Sequence, residues 1–264
     1  MKISKNLEIA IKACLAAGRE IIEIYNSDNF DVTEKSDSSP LTIADKESHK
    51  IIVDFLSKTG YPILSEEGSE IEYKKRKSWE TFWLVDPIDG TKEFIKKNGE
   101  FTVNIALIEN HKTILGVVYA PALKVLYFAE ENFGSYKVNN VSSFECINEG
   151  KTQNLKESSY PDIYTMVVSK SHMNHETEDY VSEIKNSDGK IELKSFGSSL
   201  KICKVADGEA HCYPRFGPTM EWDTAAAHAV AKYAGCRLID SKSKKELQYN
   251  KENLLNPFFL VLSN

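Results

Sequence analysis

Trp83-Leu-Val-Asp86-Pro-Ile-Asp89-Gly90-Thr91 runs an apolar strand straight into two carboxylates, a glycine and a hydroxyl. Proline at the second position of Asp86-Pro-Ile-Asp89 presets φ for a type I turn, whose first and fourth Cα atoms lie within about 7 Å. The spacing therefore predicts a turn that brings both carboxylates to one point. Two bare charges roughly 5 Å apart repel by about 3 kcal/mol at an effective dielectric of about 20, so the pair calls for a cation or a shared proton. A divalent ion is the simpler answer. Gly90-Thr91 then opens a short helix-like run, Lys92 to Lys97, whose first backbone N–H groups would face an anion. A cation site and an anion site thus adjoin.

Upstream, Leu7, Ala10, Ile11, Cys14, Ala17, Gly18, Ile21 and Tyr25 recur at three- and four-residue steps, which predicts an amphipathic helix from Ser4 to Tyr25. A polar loop follows, from Asn26 to Pro40. Thr42-Ile-Ala-Asp45 has the form of a capping box ahead of Ile51, Ile52, Phe55 and Leu56, so a second helix of about four turns is expected, with Asp45 at its start. A short strand, Ile63-Leu64, ends at Ser65-Glu66-Glu67-Gly68. A charged linker from Glu70 to Lys77 leads into the strand before Asp86.

Downstream, Phe101–Ile108, Ile114–Tyr119, Val125–Ala129 and Gly134–Val138 read as an antiparallel meander. The polar stretch from about Val141 to Tyr160 suits a junction, and a boundary near residue 155 divides an α+β part, 1–155, from an α/β part, 156–264. In the second part, strands are expected at Tyr164–Ser169, Ile191–Phe196, Ala210–Tyr213, Arg237–Asp240 and Phe258–Leu262. Helices are expected at Ser199–Asp207 and from Glu221 to Ala234, the latter with Asp223 in its first turn.

Composition narrows the function classes. The chain has 264 residues, 41% hydrophobic and 27% charged, with a net charge of −6, so neither a broad basic surface for duplex nucleic acid nor pervasive disorder is expected. Met1-Lys-Ile-Ser-Lys-Asn leads into the amphipathic pattern instead of an apolar signal core, and no run approaches 18 uncharged apolar residues, which predicts a soluble, cytoplasmic protein without a transmembrane segment. Cys14, Cys146, Cys203, Cys212 and Cys236 are odd in number, with no Cys-x-x-Cys pair, and suggest neither a disulfide framework nor a zinc site.

Each acid also has an ordinary structural reading: Asp86 and Asp89 can close a turn and cap a helix, Glu66 sits in a common exposed turn, and Asp45 and Asp223 suit first helical turns. Their convergence would instead make the all-oxygen shell that Mg²⁺ demands. Two or more such ions could activate a water and neutralise both oxygens of an in-line displacement, the chemistry of phosphate-ester hydrolysis. Phe196-Gly-Ser-Ser-Leu-Lys201 offers hydroxyls and an amine for a second phosphate, or simply a capped helix start. Tyr213-Pro-Arg215-Phe216-Gly-Pro offers Arg for a phosphate and aromatics for a base, or an ordinary loop. His172 in Ser169-Lys-Ser-His172 could stack on a base, or lie on the surface.

With Asp86-Pro-Ile-Asp89-Gly90-Thr91, Glu66 upstream and Trp222-Asp223-Thr-Ala-Ala downstream, nearly the whole chain resembles the lithium-sensitive, magnesium-dependent phosphatases of the inositol monophosphatase superfamily. Six segments, Ser65-Glu66-Glu67, Asp86-Pro-Ile-Asp-Gly-Thr-Lys-Glu-Phe94-Ile, Asn98-Gly-Glu-Phe-Thr-Val-Asn104-Ile-Ala-Leu, Gly116-Val-Val-Tyr-Ala-Pro121, Gly197-Ser-Ser-Leu-Lys201 and Tyr213-Pro-Arg-Phe-Gly-Pro218, resemble its bisphosphate-nucleotidase branch. Glu93 stands where inositol monophosphatases usually carry Asn. The resemblance implies a five-layered αβαβα sandwich and two or three Mg²⁺ ions held by Glu66, Asp86, the Ile88 carbonyl, Asp89 and Asp223. It further implies that Asp45 and Thr91 orient and deprotonate the attacking water, and that the Gly90 and Thr91 amides hold the scissile 3′-phosphate. Ser198, Ser199, Lys201 and Arg215 would bind the 5′-phosphate side, with His172 near the base. The implied reaction is hydrolysis of adenosine 3′,5′-bisphosphate to AMP and phosphate, with the 3′-phosphosulfate analogue as a further candidate substrate, in a sulfate-assimilating cell. Peripheral association with the inner membrane is compatible with the resemblance. The competing readings are an inositol-phosphate or fructose-bisphosphate phosphatase on the same metal site, and a non-catalytic cation-binding module.

Overall fold

The alternation of apolar side chains along residues 82–85 and 103–107 sends successive residues to opposite sides of one sheet, and both sides are dry. In the computed structural model, which describes residues 3–27, 33–34, 40–68, 71–148, 152–169 and 174–263, Trp83, Val85, Val103 and Ile105 join one buried cluster. Phe82, Leu84 and Ala106 join another. An antiparallel meander usually leaves one face to water. Here helices cover both.

The first helices are α1 (Lys5–Asn26) and α2 (Ile43–Leu56), with a small antiparallel pair, β1 (Thr33–Glu34) and β2 (Pro40–Leu41), between them. The Ser4 hydroxyl accepts from the Leu7 amide at 3.1 Å to start α1. Next come β3 (Ile63–Ser65), the one-turn α3 (Tyr73–Arg76), β4 (Thr81–Asp89) and α4 (Thr91–Ile95). Strands β5 (Thr102–Glu109), β6 (Lys112–Ala120), β7 (Val125–Glu130), β8 (Gly134–Asn139) and β9 (Thr152–Asn154) complete a sheet whose spatial order is the chain order from β3 to β9. Only β3 and β4 run parallel among its described pairs.

The remaining chain forms β10 (Tyr164–Ser169), α5 (His175–Asp188), β11 (Ile191–Phe196), α6 (Leu200–Ala206), β12 (Cys212–Arg215), α7 (Glu221–Tyr233), β13 (Arg237–Asp240) and β14 (Phe259–Leu262). Its five strands are ordered β11-β10-β12-β14-β13. Helices α1 and α2 lie on one face of the larger sheet, α6 and α7 fill the space between the two sheets, and α5 covers β11 and β12. The stack is the expected five-layered αβαβα sandwich. No helix among the described residues is long and apolar enough to cross a membrane.

Three local expectations are corrected. First, Asp86-Pro-Ile-Asp89 is not a type I turn: β4 continues through it, with Asp86 opposite Asn104 and Asp89 opposite Thr102. Two residues thus face one, a β-bulge, which suits Pro87 because a bulge does not need its missing N–H. The Ser48 hydroxyl of α2 donates to the Pro87 carbonyl at 2.9 Å and holds the bulge against that helix. Second, the charged segment from Glu70 to Lys77 contains α3, whose Arg76 is buried. Third, the strand expected at Ala210–Tyr213 begins later, at Cys212, because Ala210 still bonds back to Lys204 at the end of α6.

The contact between α7 and the larger sheet sets the thickness of the middle layer. Ala225, Ala226, Ala227 and Ala229 give α7 a small-residue surface, and the Thr113 and Ser135 hydroxyls donate to the Ala225 and Val230 carbonyls at 3.1 and 2.8 Å. A Cβ on Gly116 of β6 would stand 2.2 Å from the Ala226 carbonyl oxygen and 2.7 Å from the Ala229 Cβ. Both obstacles are rigid, so Gly116→Ala is expected to lower stability by about 1–3 kcal/mol, or more if the helix cannot shift. Urea denaturation checks this, and an unchanged midpoint would contradict so close an approach.

Candidate active site

The bulge turns the end of β4 toward the middle layer, and three further elements bring their acids to it. The turn after β3 carries Glu66, the first turn of α7 carries Asp223, and the start of α2 carries Asp45. Asp86 is buried, and burial first, followed by the charges of Glu66, Asp89 and Asp223, pushes its carboxyl well above the usual carboxylate range. Glu66 is also hydrogen-bonded to it. Burial and then Asp89 raise Asp223 in the same way. Burial likewise raises Asp89, against the opposing pull of the Lys201 ammonium and the Ser199 amide. These carboxylates feel one another inside the protein, where an uncompensated charge is costly.

Each acid is anchored by a fixed donor. Asp86 Oδ1 accepts from the Ile88 amide at 3.1 Å, Asp89 Oδ2 from the Ser199 amide at 2.5 Å, and Asp223 Oδ2 from the Met220 amide at 2.8 Å. These bonds use one oxygen of each carboxylate. Among the described residues, no three His, Cys, Asp or Glu side chains are already disposed around a single ion position. The donor set nevertheless suits a hard divalent cation: it is all oxygen, mutually repelling and adjacent to the backbone carbonyl of Ile88.

Asp45 and Thr91 meet as well. Asp45 is buried, and its Oδ2 accepts from the Thr42 amide at 2.7 Å and the Thr42 hydroxyl at 2.6 Å. Its Oδ1 lies 3.4 Å from the Thr91 hydroxyl, which is equally far from the Ile88 carbonyl oxygen. Gly90, just before α4, has φ +92°, and a Cβ there would stand 2.3 Å from Ser198 Oγ. Glycine is therefore required both by the backbone and by the approach of the 197–199 loop.

That loop ties the two parts of the chain together. The Ser198 hydroxyl lies 2.9 Å from the Asp89 carbonyl oxygen and 2.6 Å from that of Glu100, and Ser198 itself has φ +51°. The Ser199 hydroxyl donates to Asn104 Oδ1 at 2.9 Å, and Asn104 Nδ2 reaches Asp89 Oδ2 at 3.5 Å. Both serines thus make their contacts with the Asp89 wall. Lys201 donates to the Ser198 carbonyl at 2.7 Å, and burial lowers its pKa to about 8 despite the favourable charge of Asp89. Arg215, half-buried, donates to the Pro218 carbonyl at 2.9 Å.

A cleft open to solvent joins several of these groups. Asp89, Asp223 and Gly90 line it together with Lys201, Arg215, Glu93, Tyr213 and Phe196. His172 falls outside the described residues. Asn104 and Ser48 carry no functional expectation from the sequence, yet they support Asp89 and the bulge, while Thr42, expected as the helix cap, supports Asp45. Asn104 had a sequence signal: it is a lone amide inside an apolar strand pattern that pairs with Asp86.

Known proteins resemble this chain over nearly its whole length. The sequence profile described as the inositol monophosphatase family matches residues 2–258. Proteins named 3′(2′),5′-bisphosphate nucleotidase CysQ are similar: that of Shigella flexneri is 44% identical over 248 residues, covering 93% of this chain and 94% of its own. That of Salmonella typhimurium is 42% identical over 258 residues, covering 97% and 98%. The crystal structure of CysQ from Bacteroides thetaiotaomicron, described as a bacterial member of the inositol monophosphatase family, superposes with a TM-score of 0.90 at 48% identity, covering 98% of this chain and 97% of that one. The chain belongs to the inositol monophosphatase family.

Proposed function

We propose that the chain is a 3′(2′),5′-bisphosphate nucleotidase that removes the 3′-phosphate of adenosine 3′,5′-bisphosphate, yielding AMP and phosphate, with two or three Mg²⁺ ions as cofactors. The observation that carries this reading is one cleft lined by charges of both signs. Asp89 and Asp223 line it together with Lys201 and Arg215. A monoester substrate needs only the acids, whereas a bisphosphate uses the bases as well. Similarity to the CysQ proteins supports the same substrate class.

Glu66, Asp86, Asp89, Asp223 and the Ile88 carbonyl would hold the ions, since their mutual repulsion falls when a cation is shared among them. Bound divalent ions supply Lewis-acid polarisation of the phosphoryl oxygens and acidify a water. The protein's own part is positioning and proton handling. Asp45 is held through Oδ2 by Thr42, which leaves Oδ1 facing the Thr91 hydroxyl. Thr91 can accept a hydrogen bond from the attacking water while donating to Asp45, so the proton leaves along a fixed line. The Gly90 and Thr91 amides would donate to the phosphate oxygens. In the same cleft, Lys201 and Arg215 would pair with the 5′-phosphate. The 3′-phosphate of the phosphosulfate analogue would be held as that of the bisphosphate is.

With Mg²⁺ present, phosphate release from adenosine 3′,5′-bisphosphate is expected to exceed that from inositol 1-phosphate, and Asp89→Asn is expected to lower kcat/KM by about 100-fold or more. Faster turnover of the inositol ester, or an unimpaired Asp89→Asn enzyme, would refute the substrate or the metal role respectively. Arg215→Ala should raise KM for the bisphosphate about 10-fold or more, the loss of one charge-assisted phosphate bond, while leaving KM for adenosine 3′-phosphate nearly unchanged. Equal effects on both ligands would take Arg215 off the 5′-phosphate.

The raised carboxyl pKa values of Asp86, Asp89 and Asp223 also fix a sign for pH dependence. An acid whose folded pKa lies above its unfolded value contributes stability below the unfolded value and loses it as pH climbs through the folded one. Metal-free protein should therefore lose stability as pH rises above the ordinary carboxylate range, and a Mg²⁺ concentration 100 times the Kd at neutral pH should add about 2.7 kcal/mol there and less at acidic pH. Melting curves at both pH values check this, with a pH-independent Mg²⁺ shift counting against the cluster as the binding site.

A further inference from the structure

Arg76 and Glu221 are opposite charges buried far apart in the sequence, exposed by only 3% and 0%. Neither touches the cleft, yet both grip one short segment, residues 249–252. The Asn250 and Lys251 amides donate to the two Glu221 oxygens at 2.6 and 3.0 Å, and Lys251 Nζ donates to Oε1 at 2.6 Å. On the opposite side, Arg76 donates to the carbonyls of Lys251 and Glu252 at 2.6 and 2.9 Å and to Asn250 Oδ1 at 2.9 Å. Asn250 Nδ2 returns a bond to the Arg76 carbonyl at 2.9 Å.

The Asn250 and Lys251 N–H groups therefore point at the acid, and the Lys251 and Glu252 C=O groups, which belong to the next two peptide units, point at the guanidinium. Each charge holds the peptide units on its own side through charge-assisted hydrogen bonds. Asn250 adopts φ +65° to allow it. The segment is also pinned at its start, where the Tyr249 amide donates to the His111 carbonyl at 3.0 Å.

What the clip joins matters for the site. Arg76 belongs to α3, between the Glu66 turn and β4, the strand that carries Asp86 and Asp89. Glu221 is the first residue of α7, two before Asp223. The larger sheet and the helix bearing the third carboxylate are thus held in register by a buried link outside the cleft. We propose that Arg76, through Asn250 and Glu221, is a positioning residue that sets the placement of Asp223 against Glu66 and Asp86, and so sets divalent-metal affinity. This rests on the metal role given to those acids above. Arg76→Lys keeps the charge but cannot reproduce the forked contacts to two carbonyls and an amide.

The test is isothermal titration of Mg²⁺ alone into the folded protein, accompanied by kinetics. Arg76→Lys, and independently Asn250→Gly, which preserves the left-handed backbone while deleting both side-chain bonds to Arg76, are expected to raise the Mg²⁺ Kd by about 10-fold or more. KM for the bisphosphate at saturating Mg²⁺ should stay within about two-fold, because no substrate contact is lost. An unchanged Mg²⁺ Kd in either folded variant would overturn the positioning role. Should the parent protein itself bind no Mg²⁺, the metal reading fails, and this inference with it.

Discussion

The crowding of several carboxylates around the end of one strand is the constraint around which this chain is organised. Burial and then the charges of Glu66, Asp89 and Asp223 raise the pKa of Asp86, and burial and then Asp89 raise that of Asp223. Left alone, such a cluster would oppose folding, and it persists only because the surrounding structure over-determines it. Ile88, Ser199 and Met220 amides each fix one acid, and the Ser48 hydroxyl fixes the bulge between two of them. The same repulsion that burdens the fold would be relieved by a shared divalent cation, as the proposed function requires.

Helix α7 serves both the core and the cleft. Its alanine-rich flank lets it lie against Gly116 and the meander strands, so the middle layer is thin. Its first turn presents Asp223 at the edge of that layer, beside Asp89. Packing and chemistry are consequently coupled: a shift of the helix on the sheet would also move a carboxylate. The loop at residues 197–199 does comparable work from the other side, since Ser198 and Ser199 bond across to Asp89, Glu100 and Asn104.

Legibility followed the strength of the local physical signal. Helix α1 is readable because nine of its buried residues fall on one face, and α2 because Thr42 and Asp45 punctuate its start. The meander is readable because apolar runs are separated by turn residues. In contrast, among the described residues α5 turns inward only Thr177, Tyr180, Val181 and Ile184, since it covers the outer sheet and faces water along most of its surface. Helix α3 is a single turn amid lysines, and nothing local distinguishes Arg76 from its charged neighbours. The type I turn expected from Asp86-Pro-Ile-Asp89 gave way to a bulge because pairing with β5 continues past Pro87.

By itself the sequence determined which residue types carry chemistry and on which elements they ride. Acids, glycine, hydroxyl and amine stand at element ends, and period-two and helical spacings write those elements into the chain. The tertiary structure alone decided that Glu66, Asp89 and Asp223 act on the charge of Asp86, that Lys201 and Arg215 line a cleft with Asp89 and Asp223, and that Arg76 reaches Glu221 through residues 250–252. The reason is physical: local spacing governs hydrogen bonds a few residues apart, whereas the proximity of residues a hundred or more positions apart is set by how layers pack.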